Sequence, residues 1–275
     1  MLRANFHTHT NLCDGVNSPE EITIHAISLG FKQLGFSGHI DPDIHMDIQE
    51  YIKIISSLKE KYKKNIDILL GIELDNMYDP KYSDFVEYTI GSTHFLDINS
   101  EKPLAIDLTK EQFVYICKNY FESNYYKMSR AYYDLVAKTY DRLHCTFIGH
   151  FDLITRFNDE LYVLDENSNT YLYPALNAMK YLCEQSVPFE INCGAYNRNR
   201  KQDVYPNKRL LSELCKMGGR IIINSDAHQK ELLNGGFDFA IKQAIDCGFK
   251  YTNILKHNSQ GKVELQEIPL DSLKK

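Results

Sequence analysis

At 275 residues, with 43% hydrophobic and 25% charged, the chain has the make-up of a globular protein and is long enough to bury a sizeable core. A net charge of −6 and a pI near 5.9 argue against a general nucleic-acid binder, which carries a basic patch. No apolar run is long enough to cross a bilayer, and no charged n-region precedes an apolar h-region, so neither a membrane nor a secretory route is expected. The seven cysteines (Cys13, Cys117, Cys145, Cys183, Cys193, Cys215 and Cys247) are odd in number and form no Cys-x-x-Cys pair. They read as reduced thiols of a cytoplasmic protein.

Leu2 to Phe6 reads as a strand running into His7-Thr8-His9. Residues two apart on a strand point the same way, so the two imidazoles can face one divalent ion, with Asp14 folding back from the next loop. Ser18-Pro19-Glu20-Glu21 is a helix start: Ser18 caps, Pro19 fits the first turn and the acids meet the dipole. That helix closes at Gly30. Gln33 to His39 is a short strand ending in histidine. Asp47 to Lys64 is a helix with Ile48, Ile52, Ile55 and Leu58 on one face, and Ile66 to Glu73 is a strand ending on a carboxylate.

Phe85 to Thr93 is a strand that again runs into histidine, His94. From Thr109 or Lys110 to about Arg142 the chain is Tyr-rich and lacks Gly and Pro, and it reads as one long helix or a broken pair. Cys145 to His150 is a strand, Asn169 to Gln185 a helix, and Val187 to Asn192 a strand. Asn207 to Met217 is a helix, and the strand Arg220 to Asn224 runs into Ser225-Asp226-Ala227-His228. Phe237 to Cys247 is the last helix, Tyr251 to Leu255 a strand, and Lys262 to Ile268 a short strand before a charged tail. Strand and helix alternate about seven times with no linker or repeat. A parallel sheet with helical crossovers, as one domain over residues 1–275, is expected.

In α/β barrels the carboxyl ends of the strands share one face. Six of the ten histidines, with Glu73 and Asp226, fall at or near such ends, whereas His25, His45, His144 and His257 do not and read as surface or core residues. With Asp14 this makes nine candidate ligands: His7, His9, Asp14, His39, Glu73, His94, His150, Asp226 and His228. Nine exceed the four of one tetrahedral zinc and suit two or three divalent ions bridged by a carboxylate such as Glu73. Nitrogen and oxygen donors without thiolate fit Zn, Mn or Fe. Ions held this way acidify a bound water and neutralise charge on a phosphoryl or carbonyl oxygen, so metal-assisted hydrolysis is the expected reaction class.

The set His7-x-His9, Asp14-Gly15, His39, Glu73, His94, His150 and Asp226-x-His228 resembles the PHP superfamily of polymerase-associated and histidinol-phosphatase domains, from residue 5 to about 228. The resemblance implies a distorted (βα)7 TIM-like barrel with a trinuclear metal centre at the C-terminal ends of the strands. It implies one ion on His7, His9, Glu73 and Asp226, a second on Glu73, His94 and His150, and a third on Asp14, His39 and His228. The length, the segment Phe147 to Leu153 and Phe189-Glu190-Ile191-Asn192 resemble the stand-alone histidinol-phosphate phosphatases of histidine biosynthesis. A small-molecule phosphate ester is then the expected substrate.

Arg156 and Arg198 each lie six residues beyond a strand end, at His150 and Asn192, and arginine forks suit a phosphate dianion. They are the candidate phosphate anchors, with Arg200 a substitute for Arg198; the resemblance supports the pair. Asn192 stands where a ligand could, as an amide, and reads as a support or a substrate contact. Asp226 or a neighbouring histidine such as His228 is the candidate for moving a proton to the leaving alcohol. Gly15, Gly38, Gly71, Gly149 and Gly194 read as tight turns beside strand ends rather than a phosphate-binding glycine motif. Ser225 lacks the Gly-x-Ser-x-Gly setting of a nucleophile. Tyr120, Tyr125, Tyr126, Tyr132 and Tyr133 read as helix packing. The rival readings are another small phosphate ester, a nucleotide or phosphotyrosine as substrate, and a non-catalytic module. The intact ligand set speaks against a non-catalytic module.

Overall fold

The structure, a computed structural model, describes residues 3–273 apart from Pro42 and His45. The expected strand start at Leu2, the reading of His45 and the end of the charged tail lie outside the described residues. In chain order the elements are β1 (Ala4–Asn5), α1 (Pro19–Ser28), β2 (Gln33–Ile40), α2 (Ile48–Tyr62), β3 (Asp67–Asp75), β4 (Tyr88–Ser92), α3 (Lys110–Tyr120), α4 (Tyr125–Val136), α5 (Thr139–Leu143) and β5 (Phe147–Ile148). Then follow α6 (Asn158–Leu161), α7 (Asn169–Glu184), β6 (Phe189–Asn192), α8 (Gly194–Asn197), α9 (Lys208–Lys216), β7 (Ile221–Asn224), α10 (Phe237–Asp246), β8 (Tyr251–His257) and β9 (Val263–Pro269).

The strands lie side by side in sequence order, parallel from β1 to β8, with β9 antiparallel on β8. This is the order of a βα barrel. The join between β1 and β7 is made differently from the rest. Phe6 N–H donates to Asn224 Oδ1 (2.8 Å), Ser225 N–H to Asn5 Oδ1 (2.9 Å), and one parallel bridge pairs Thr8 with Ala227. Side-chain amides thus stand in for a backbone ladder at this seam. The sheet is therefore not closed by a ladder, and β8 and β9 extend it beyond β7.

Local chemistry sets the ends of the elements. Ser18 and Glu21 form a reciprocal capping box on α1, and Asp47 caps α2 through the amides of Gln49 and Glu50. The segment from Lys110 to Leu143 is neither one helix nor a broken pair but three helices. Glu122 and Ser123 take positive φ (57° and 60°) and Asn124 caps a new start. Gly71 lies inside β3 and Gly38 inside β2, so neither is the turn residue expected. At Gly71 a Cβ would sit 2.2 Å from the Tyr88 ring. Tyr88 fills that space and shares its hydroxyl between the carbonyls of Phe6 (2.8 Å) and Phe36 (2.9 Å), stacked on Phe147. This aromatic floor excludes water beneath the polar end of the strands.

Candidate metal centre

The β2–β3 register sets His39 beside Glu73, and β1, β4, β5 and β7 deliver the other ligands to the same end. Glu73 is the hub. Its Oε2 lies 3.0 Å from His7 Nε2, 3.4 Å from His9 Nε2 and 3.3 Å from His39 Nδ1. Its Oε1 lies 2.7 Å from His150 Nε2 and 3.4 Å from His94 Nε2, and accepts from Ser92 Oγ (2.7 Å). Asp226 Oδ1 faces His9 Nε2 (3.2 Å) and His7 Nε2 (3.6 Å). Asp14 reaches His228 Nε2 (2.9 Å), His9 Nδ1 (3.4 Å) and His39 Nε2 (3.6 Å). All nine ligand candidates meet in one place.

Three groups of donor atoms are compact enough for an ion: His9, Asp14, His39 and His228; His7, His9 and Asp226; His39, Glu73 and His94. His9 and His39 each belong to two groups. The grouping differs from the one implied by resemblance: His39 stands with Glu73 and His94 where His150 was expected, His150 falls in none of the three groups, Glu73 is not grouped with His7, His9 and Asp226, and His9 is shared. Several of these atoms have no hydrogen-bond partner although buried, among them His9 Nε2, Asp226 Oδ1 and His39 Nδ1. Buried polar atoms are normally bonded, and imidazole nitrogens and carboxylate oxygens left bare at about 3 Å from one another suit divalent cations. The residues present fit the metals.

Electrostatics act differently on the carboxylates and the imidazoles. Burial works against the charges on Glu73, Asp226 and Asp14, yet the surrounding imidazoles, with Arg198 at Asp226, outweigh it and hold all three carboxyls well below their usual range. Burial also opposes a charge on His7, but Glu190, Glu73 and Asp226 hold it well above the ordinary value, and Glu73 and Asp75 likewise lift His94 to about 10. Burial and the neighbouring His228 and His39 push His9 down to about 3, leaving it neutral with a free lone pair. The Cys13 thiol beside His9 is pushed up to about 11 by burial and Asp14, so it stays protonated and the donor set is nitrogen and oxygen.

The cavity over the centre has a volume of about 480 Å³, and Arg156, Arg198 and Arg200 all line it. Arg198 donates to His228 Nδ1 (2.8 Å) and lies 3.5 Å from Asp226; Arg156 is 4.0 Å from Asp107. Burial and the two neighbouring guanidiniums lower the pKa of Arg200, the mark of a strongly positive wall. Asn192 does not face the cavity. Its amide donates to Glu190 (2.9 Å) and Asp226 (3.3 Å) and its oxygen accepts from Gly194 N–H, so its bonds are those of a support and not of a substrate contact. The helices from Lys110 to Leu143 add no cavity-lining residue among the described residues; Phe95, Ala105, Asp107 and Leu108 in the loop before them do.

Two carboxylates that the sequence reading did not single out hold the ligands, and a third, Asp41, lies beside one. Glu190 accepts from His7 Nδ1 (2.7 Å) and from the His150 amide (3.0 Å). Asp75 accepts from the His94 amide (2.7 Å) and lies 3.4 Å from His94 Nδ1. Asp41 lies 3.4 Å from His39 Nδ1. Each is two residues from a residue already singled out (Asn192, Glu73 and His39), so the same period of two that paired His7 with His9 points to them.

Parallel strands that carry a His, Asp and Glu cluster to one end of the sheet, beside three arginines, define an α/β metallohydrolase. Residues 5–193 match the PHP domain family, and the chain belongs to it. It is 28% identical over 261 residues to a Deinococcus radiodurans protein named "Probable histidinol-phosphatase", covering 88% of this chain and 92% of that one. It is 23% identical over 258 residues to the histidinol-phosphatase of Bacillus subtilis, covering 83% and 94%. The fold matches a solved structure from Lactococcus lactis subsp. lactis, a histidinol phosphate phosphatase complexed with Zn, L-histidinol and phosphate. The TM-score is 0.68 at 18% identity, over 96% of this chain and 100% of that one.

Proposed function

We propose that this protein is a metal-dependent phosphomonoesterase that hydrolyses L-histidinol phosphate to L-histidinol and phosphate, as one catalytic domain. The observation that carries the reading is the convergence of nine His, Asp and Glu side chains at one end of the sheet, seven of them lining a cavity with three arginines. The names borne by relatives that align over most of their length give the substrate. His7, His9, Asp14, His39, Glu73, His94, His150, Asp226 and His228 would hold two or three ions of Zn, Mn or Fe. When bound, such ions supply a water nucleophile at neutral pH and neutralise charge on the phosphoryl oxygens.

Arg156 and Arg198, with Arg200 beside them, hold the phosphate dianion and fix the ester for in-line attack. The P–O bond to the alcohol breaks, and the departing oxygen takes up the proton that the attacking water gives up, passed on through the Asp226–His228 pair, whose side chains are 3.5 Å apart. Asn192 and Glu190 keep Asp226 and His7 in place. No helix among the described residues is long and apolar enough to cross a membrane, and seven unpaired cysteines suit a cytoplasmic setting.

The test is turnover of L-histidinol phosphate beside a panel of phosphomonoesters and one phosphodiester, with and without chelator. A kcat/KM at least about a hundredfold above the other esters, lost with chelator, is expected. Equal weak rates on all monoesters would overturn the substrate, and no hydrolysis by metal-loaded protein would overturn the enzyme.

A further inference from the structure

Lys201 has a side chain only 2% exposed, and nothing in the proposed chemistry uses it. Its ammonium donates to the Thr155 carbonyl (3.2 Å) and to Asp159 Oδ1 (3.2 Å), lies 3.8 Å from Glu166, and sits 5.9 Å from the centroid of the Tyr205 ring. The first three partners come from the segment that follows β5, whereas Lys201 follows β6. Thr155 immediately precedes Arg156, and Lys201 immediately follows Arg200. One buried cation therefore ties together the two loops that bring arginines to the cavity.

Other bonds strengthen the same joint. Asp159 Oδ2 accepts from the Gln202 amide (3.0 Å), and Asp152 Oδ2 accepts from the Asn207 amide (3.0 Å). Glu166 accepts from the side chains of Asn158 and Asn207, each at 2.7 Å. Arg198 is bonded to His228, but Arg156 is held loosely. Arg156 has its nearest ion partner, Asp107, at 4.0 Å, and the Nε atoms of Arg156 and Arg198 have no hydrogen-bond partner. Their spacing is set by the loops that carry them. A buried ion cluster adds little net stability, because desolvation offsets the attraction, but it tolerates only one geometry.

We propose that Lys201 is a positioning residue that fixes Arg156 against Arg198 and Arg200, and so sets the affinity of the cavity for a phosphate group. The proposal rests on reading the site as a phosphomonoesterase. It is tested in the full chain, metal-loaded, with K201M, K201R and D159N. In K201M the KM for L-histidinol phosphate and the inhibition constant of inorganic phosphate both rise by about tenfold, while kcat falls by less than about threefold. Bound metal per chain is unchanged, and K201R recovers most of the loss. D159N removes the negative charge of one partner while keeping the lysine and the volume, so it shifts both constants the same way even if K201M does not fold. Constants within about twofold of wild type in K201M, or in D159N where K201M fails to fold, with only the melting temperature lowered, would reduce the cluster to a structural tie and overturn the proposal. A wild-type protein that hydrolyses no phosphomonoester and is not inhibited by phosphate would instead overturn the functional reading, and this proposal with it.

Discussion

Glu190 and His7 are joined beneath the metal centre: His7 Nδ1 donates to Glu190 Oε1 at 2.7 Å, both side chains are fully buried, and the other ring nitrogen faces Glu73 at 3.0 Å. The bond fixes which nitrogen carries the proton, and so which one is presented to an ion. The same carboxylate also accepts from the His150 amide, Asn192 and Asn224, which ties three strands to one point.

Glu190→Gln keeps the shape but places an amide where all four partners donate. Metal affinity or activity should fall by about 10–100-fold, the usual cost of losing a partner behind a ligand. Metal content by elemental analysis, with far-ultraviolet circular dichroism to show retained folding, checks this. Wild-type metal content together with wild-type kcat would sink the role given to Glu190.

The arginines should separate by kinetics. Arg156 faces the cavity with Asp107 at 4.0 Å, so Arg156→Ala should raise KM and weaken phosphate inhibition by about 10-fold or more, with a smaller change in kcat. Arg198 also touches His228 (2.8 Å) and Asp226 (3.5 Å), and its loss should lower kcat as well. Lysine at either place should rescue only in part, since an ammonium cannot reproduce a two-pronged bond to phosphate. Steady-state kinetics on L-histidinol phosphate with phosphate as inhibitor decide it; an unchanged KM in Arg156→Ala would remove Arg156 as an anchor.

Much of this was legible in the residues, for definite reasons. His7 and His9 obey the period of two, Ser18-Pro19 and Asp47 are local caps, and ligands at strand ends need only the parallel topology to meet. What stayed hidden depends on contacts distant in sequence. Asn5 and Asn224, 219 positions apart, link β1 to β7 through side-chain amides, for which no pattern within either strand calls. Gly71 read as a turn because its reason, the Tyr88 ring, comes 17 residues later. The break at Glu122 and Ser123 carries neither Gly nor Pro, so the chain there looks helical until Asn124 is seen to cap a new start. Glu190, Asp75 and Asp41 are within reach of the same strand period, but each stands two residues from a more conspicuous candidate (Asn192, Glu73 and His39) that takes the ligand or support role in a reading by residue type.

Gly71 gives a stability test that leaves the ligands untouched. A methyl added there would meet the Tyr88 ring at 2.2 Å, and the ring is fixed by two carbonyls and by Phe147. Gly71→Ala should destabilise by about 1–3 kcal/mol or more through overpacking of the floor. Thermal unfolding measures it, and an unchanged midpoint would mean that Tyr88 can move aside.

Acid stability should depend in part on Glu87, which lies away from the metal ligands. Its carboxylate pairs with Lys59 and accepts from the Leu70 amide (2.7 Å) and His257 Nε2 (2.8 Å). Burial raises its pKa, but these three bonds outweigh it and hold the group below the ordinary value of 4.5. A carboxyl with a lower pKa in the folded than in the unfolded chain contributes stability above the unfolded value and loses it as pH falls through the folded one. Glu87→Gln should therefore lower the melting temperature at pH 7, and the gap to wild type should narrow as the pH drops below about 4.5. Metal release in acid affects both proteins alike, so the difference between their melting curves isolates Glu87. A gap that stays constant from pH 7 to pH 3.5, or widens in acid, would show that the folded carboxylate is not stabilised by these partners.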